Sequence, residues 1–182
     1  MTKHILTLLL IFLVTACQEK QSPQETMQAK ITDLEKGLNA NGTFQKAAVA
    51  PVVAAYEEYS AKFPEDSMSL VYQYKIAETY QKTDDLDKTI EVYEKILYDK
   101  GKETNFDIKA AMGTVRAYEK FAKEKADDAK TPEYLFKAAE IQRSLKNYKK
   151  AIENYETIQT DFPDYEKTPH STFLLGFIYE ND

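Results

Sequence analysis

Cys17 is the one thiol in 182 residues, and His4 and His170 are the two imidazoles. A lone cysteine excludes an internal disulfide and any multi-cysteine metal site. His170 stands beside Pro169 near a predicted helix start, where a solvated or capping role fits better than ligation. Acidic pairs occur at Asp84-Asp85 and Asp127-Asp128, each in a predicted inter-helix turn. Calcium loops need several oxygen ligands at alternating positions around a central glycine, and neither stretch has that pattern. There is no glycine-rich phosphate loop, no serine–histidine–aspartate set and no Gly-x-Ser-x-Gly elbow. The side chains therefore specify no metal, no cofactor and no catalytic centre, and the chain reads as a non-enzyme. Thirteen tyrosines remain as the other chemical resource. Most fall at helix-packing spacing and read as core, with a sugar-stacking platform as the alternative.

Cys17 has a context of its own. Residues 1–16 carry Lys3, an apolar run from Ile5 to Val14, and Thr15-Ala16 before the cysteine. A basic start, a short apolar stretch and small residues before a cut describe a secretory signal. The run is too short for a membrane-spanning helix, which needs about 20 residues. Val14-Thr15-Ala16-Cys17 resembles the bacterial lipobox, and that resemblance implies an acylated Cys17 as the first mature residue. One acyl chain binds a bilayer marginally, and stable anchoring takes at least two. The resemblance supplies a diacylglyceryl group, and Gln18 after the cysteine implies the outer membrane. Gln18–Gln28 has one sizeable apolar residue, Met27, and reads as a polar tether. The expected organisation is signal 1–16, acylated cysteine and tether 17–28, and a folded body 29–182.

The whole chain has five glycines, six prolines and 30% charged residues, and its body has apolar residues at three- and four-residue spacing. That pattern predicts an all-α fold. Formal charge is −6, with no basic stripe, which argues against nucleic acid. Predicted helices are Gln24–Leu38, Phe44–Phe63, Ser69–Lys82, Leu86–Asp99, Phe106–Ala126, Pro132–Leu145, Tyr148–Asp161 and Pro169 to the end. Pro51 either kinks the second or marks its start, because proline cannot donate a ladder bond. Gly101 suits a helix C-terminus, and Gly113 alone does not break its helix.

Internal similarity defines the units. Tyr56-x6-Phe63-Pro64 recurs as Tyr155-x6-Phe162-Pro163, and Ile76-Ala77-x2-Tyr80 as Leu175-Gly176-x2-Tyr179, both at an offset of 99. Ala55-Tyr56 returns as Ala117-Tyr118, and Tyr74-Lys75-x-Ala77-Glu78 as Phe136-Lys137-x-Ala139-Glu140, at an offset of 62. There Lys125-Ala126 replaces Phe-Pro. Leu135, Ala138, Ala139, Ala151, Tyr155 and Pro163 fall on the spacing of the tetratricopeptide repeat, with Gln142 departing from it. Small residues at Ala139 and Ala151 let two helices approach closely. An offset of 62 falls short of two 34-residue repeats, so the array is irregular around 106–126. With Phe162-Pro163-Asp164, Lys167-x-Pro169 and Leu174-Leu175-Gly176-Phe177-Ile178-Tyr179, the body resembles periplasmic tetratricopeptide proteins of envelope machines, such as those of Tol–Pal and β-barrel assembly.

That resemblance implies an α-solenoid of tetratricopeptide-like helix pairs acting as a lipid-anchored scaffold for protein partners in the envelope. It also implies a groove lined by first-helix residues: Val71, Tyr74, Glu78 and Gln81; Glu133, Phe136, Glu140 and Arg143; His170, Phe173, Phe177 and Glu180. Phe136, Phe173 and Phe177 have packing on neighbouring helices as their alternative role. The rival function is a glycan- or nutrient-binding lipoprotein, which needs aromatics converging on a closed pocket. Residues 169–182 hold a first repeat helix without its partner helix, so the expectation is a truncated array with an apolar end at Phe173, Leu174, Leu175, Phe177 and Ile178.

Overall fold

The computed structural model describes residues 21–99 and 108–181. The signal segment, Cys17, Gly101 and Phe106 lie outside the described residues. Among the described residues eight α-helices follow one another: α1 Pro23–Leu38, α2 Val49–Lys62, α3 Ser67–Lys82, α4 Leu86–Asp99, α5 Ile108–Glu124, α6 Thr131–Ser144, α7 Tyr148–Asp161 and α8 Thr168–Asn181. Each packs chiefly on the helix before and the helix after it, as in a solenoid. No strand occurs among the described residues.

The first helix begins at Pro23, one residue before the predicted Gln24, and so starts inside the stretch that also read as a polar tether. Ser22 accepts from the Glu25 amide while the Glu25 carboxylate takes the Ser22 amide at 2.7 Å, a capping box, with Pro23 in the first turn. Met27 packs on the first core cluster, and Gln28 donates to the Tyr59 hydroxyl at 2.8 Å. The second helix begins at Val49, after an extended Gln45 and a 3-10 turn at Lys46–Ala48. Pro51 thus occupies the first turn, where its missing N–H has no intrahelical partner to lose.

Three core clusters run along the array. The first joins α1, α2 and α3 around Ile31, Val52, Tyr56, Tyr59 and Tyr72; the second joins α3 to α6; the third joins α6, α7 and α8 around Ala139, Ala151, Tyr155 and Leu175. Ala77, Ala139 and Ala151 are fully buried, so the small repeat residues sit where helices approach most closely.

The repeat persists at the level of single hydrogen bonds. Ser69, Thr131 and Thr168 each donate a hydroxyl to the carbonyl six residues earlier: Phe63, Lys125 and Phe162. The Asp66, Asp128 and Tyr165 amides bond to those same carbonyls. The turn therefore survives where Lys125-Ala126 stands in place of Phe-Pro. A second turn also recurs at an offset of 62. Asp85 N–H bonds to Tyr80 O, and Asn147 N–H to Gln142 O, closing helices α3 and α6 in a Schellman pattern. That pattern puts Asp84 at φ 64° and Lys146 at φ 59°, in the left-handed region where side chains are disfavoured. Lys146→Gly is expected to stabilise the protein by about 1 kcal/mol. A urea midpoint that fails to rise, at constant m value, would count against this turn geometry.

Candidate functional site

Among the described residues a buried tyrosine bonded to a carboxylate of the preceding helix recurs three times, and an exposed one, Tyr179 to Glu156, once. The Tyr56 hydroxyl donates to Glu35 at 2.7 Å, Tyr118 donates to Glu94, and Tyr155 donates to Glu140. In each case the carboxylate comes from the helix preceding the tyrosine's own. In the first two copies a lysine from the following helix completes the set. Lys75 bonds Glu35 at 2.6 Å and Lys137 bonds Glu94 at 3.0 Å. The rings match as well: Tyr56 stacks on Tyr72 at 5.1 Å and Tyr118 on Tyr134 at 4.8 Å. Thus α1–α2–α3 and α4–α5–α6 are copies of one three-helix unit. In the third copy Arg143 takes the lysine's part, gripping Glu140 with two bonds of 3.2 Å. A further pair forms where Tyr165 donates to Glu133, which also takes Lys167 at 2.8 Å.

These pairs shift protonation in both directions. Burial pushes the Tyr56, Tyr118, Tyr155 and Tyr165 phenols upward, and bonding to a carboxylate pushes them further. Burial also raises Glu133 and Glu140, but bonds from Lys167 and Tyr165, and from Arg143 and Tyr155, outweigh it and leave both carboxyls low. A phenol raised in the folded state contributes stability that is whole below the unfolded value, about 10, and is lost as pH rises beyond it. A carboxyl lowered in the folded state contributes stability above about pH 4.3, lost as pH falls through its folded value. Helix content is expected to hold between these limits. On the alkaline side, phenolate absorbance should appear together with helix loss. Phenolate growth with full helicity retained would contradict the buried pairing.

The structure places the predicted groove residues in two groups. Tyr74 is buried, with the Lys109 ammonium 4.2 Å from its ring centre, and Lys109 also meets Glu78 at 3.5 Å. Gln81 is exposed near the end of α3, and Val71 is exposed on its first half. The second group lies on α6 and α8. Phe136 is 9% exposed, its ring 6.1 Å from Tyr155 and 5.8 Å from His170, with Lys167 over its face. His170 stacks on Phe173 at 6.4 Å. His170 is thus part of a ring row, not a helix cap. Tyr74 and Phe136 are buried in core clusters with the helices that follow them, which for Phe136 is the packing alternative. Phe173 and Phe177 are 67% and 52% exposed, and of the three phenylalanines Phe136 is the buried one.

Sequence reasoning missed Glu35, Glu94, Lys75 and Lys137 as partners of the tyrosines. The acidic pairs of the turns have structural roles: Asp84 receives Lys120, Asp85 receives the Lys88 amide, and Asp128 the Lys130 amide. No grouping of histidine, cysteine and carboxylates fit to hold a metal occurs among the described residues. Open grooves of about 340, 410 and 400 Å3 lie along the helices, and of the residues lining these three Phe162 alone is aromatic. Tyr56, Tyr59, Tyr72, Tyr74, Tyr93, Tyr118 and Tyr155 are buried, so the core uses the rings that a sugar platform would need.

A family model described as tetratricopeptide repeat matches residues 72–99 and 133–165. These two stretches are tetratricopeptide repeats. They coincide with the α3–α4 and α6–α7 pairs, and α5 lies between them, where the spacing is irregular. No curated protein matches the chain. Tetratricopeptide arrays are in general non-catalytic surfaces for protein binding, and the α6–α8 face fits that use. It offers an exposed phenylalanine pair, an imidazole and a guanidinium already oriented by Glu140; aromatic residues and arginine are enriched at interface cores.

Proposed function

We propose that the protein is a lipid-anchored scaffold of the bacterial envelope that binds another protein on the α6–α8 face. The observation that carries the binding role is the exposed Phe173 on α8 stacked against His170, which also meets Phe136 of α6. The burial of most described tyrosines and the openness of the grooves favour a protein partner over a glycan or nutrient. The anchor rests on Val14-Thr15-Ala16-Cys17 and the apolar run before it. Among the described residues no helix is long and apolar enough to cross a membrane, so the acyl group would be the tether of residues 21–182. The outer membrane, facing the periplasm, is the proposed address. Its context would be outer-membrane assembly or envelope maintenance.

Cys17→Ala is expected to move the protein from the membrane fraction to the soluble fraction, or to leave it uncleaved. Normal processing with undiminished membrane association would rule out acylation as the tether. The binding role is tested by isolating the wild-type protein from detergent-solubilised envelope beside an Arg143→Glu, His170→Glu variant. Loss of a stoichiometric partner in the variant is expected. Recovery of glycan without protein would replace this reading with its rival.

A further inference from the structure

The two edges of the array, where helices end and turns begin, differ in chemistry. Successive helices run antiparallel. Gln28 and Glu35 of α1 are hydrogen-bonded to Tyr59 and Tyr56 of α2, and Glu94 and Asp87 of α4 to Tyr118 and Lys125 of α5. Short turns join the other neighbours. The start of α1, the α2–α3 turn, the end of α4, the start of α5 and the end of α6 therefore share one edge. The α3–α4 and α5–α6 turns lie on the other. Among the described residues of α1–α7 the exposed large apolar side chains are Val71, Tyr98, Ile108 and Met112. Each lies in the half of its helix nearer the first edge. Val71 is the fifth of 16 residues in α3, Tyr98 the thirteenth of 14 in α4, and Ile108 and Met112 the first and fifth of 17 in α5. Ile108 and Met112 also line an open groove that reaches Leu145 at the end of α6. The opposite edge is ionic. Lys120 bonds Asp84 there, and Asp87 takes Lys125 at 3.0 Å and Lys130 at 3.1 Å.

We infer that the first edge rests on the lipid surface, with Tyr98, Ile108 and Met112 entering the headgroup region. The length of the tether argues for lipid as the occupant. This inference rests on the lipid-anchored reading, in which Cys17 carries the acyl group. Ser22, which caps α1, is five residues after that cysteine. Five extended residues span at most about 18 Å, so the start of α1 and the turns beside it are held at the bilayer. The ionic edge stands a helix length away, about 24 Å along α3. Side-chain chemistry then fixes which way the array leans. Tyrosine and aliphatic side chains gain by entering the membrane interface. Ion-paired lysines and aspartates lose hydration there.

Because Cys17 is the one native thiol and is acylated on this reading, an introduced cysteine can be labelled alone. The acylated protein, returned to vesicles of phosphatidylethanolamine and phosphatidylglycerol, would carry bimane at Tyr98→Cys, Met112→Cys or Lys123→Cys, the last exposed near the end of α5. Nitroxide lipid in the vesicles is expected to quench bimane at 98 and 112 and to leave 123 unquenched. Ile108→Ser together with Met112→Ser is expected to abolish quenching at 98. Equal quenching at 112 and 123, or none at either with the protein in the membrane fraction, overturns this inference and leaves the anchor standing. Quenching at 98 that survives the two serine changes also overturns it, since the tether alone would then bring that edge to the lipid. So does a label at 112 shielded from lipid and from aqueous iodide alike, which would make a second copy or another segment of the chain the cover. Protein that stays soluble after normal processing removes the anchor reading and this inference together.

Discussion

Tyr118→Ala is expected to destabilise the protein by about 3–5 kcal/mol, the range for deleting a large buried ring. Tyr118 has no exposed surface, stacks on Tyr134, and donates to Glu94 on the preceding helix. Tyr118→Phe keeps the ring and removes one donor, and Glu94 retains Lys137 at 3.0 Å. Its cost is expected near 1 kcal/mol, the net worth of one hydrogen bond. Because Tyr56 occupies the same place in the first three-helix unit, Tyr56→Ala and Tyr56→Phe should show the same order. Urea denaturation of the four variants checks this. Equal losses for the alanine and phenylalanine variants would mean that the ring carries none of the packing assigned to it.

The second large effect concerns a glycine. A Cβ on Gly113 would lie 2.4 Å from the Tyr93 ring, which is buried in the α4–α5 contact. Helix propensity alone predicts that Gly→Ala stabilises a helix interior by about 1 kcal/mol. Overpacking opposes it at about 1–3 kcal/mol, and Tyr93 is held by Leu86, Ile90 and Val115 in the same cluster. Gly113→Ala is therefore expected to destabilise, and Tyr93→Leu in the same chain should relieve part of the loss. Gly176→Ala is the control. With nothing within 4 Å of the added atom, propensity acts alone and the variant should gain stability. Opposite signs for two Gly→Ala changes in one melt series distinguish close approach from intrinsic preference.

Much of the architecture was legible because repeat chemistry acts locally. Ala139, Ala151 and Tyr155 announced a helix pair through fixed spacing, and the offsets of 62 and 99 located the copies that the structure resolves into shared turns. The start of α1 was placed at Gln24, one residue from where the Ser22–Glu25 capping box sets it. The carboxylate partners were not legible. Glu35, Glu94 and Glu140 lie at different sequence separations from their tyrosines, because the intervening turns differ in length. No fixed spacing marks a pair that forms only when helices dock. The same limit applied to the groove. Repeat position assigned Tyr74 and Phe173 the same role, yet Tyr74 is covered by its neighbours and Phe173 is 67% exposed. Position along a helix sets the face. Which neighbour covers it depends on the next helix.

The central claim, that the α6–α8 face holds a protein partner in the envelope, is tested most directly by photo-cross-linking in cells. A photoreactive amino acid would be placed at Arg143 or His170 on that face, and at Lys149, exposed on α7. The account predicts a discrete higher-mass protein adduct from positions 143 and 170 and none from 149, with the adduct lost when Cys17→Ala releases the chain from the membrane. Identical adducts from all three positions, or none from 143 and 170 with the protein folded and anchored, would contradict it.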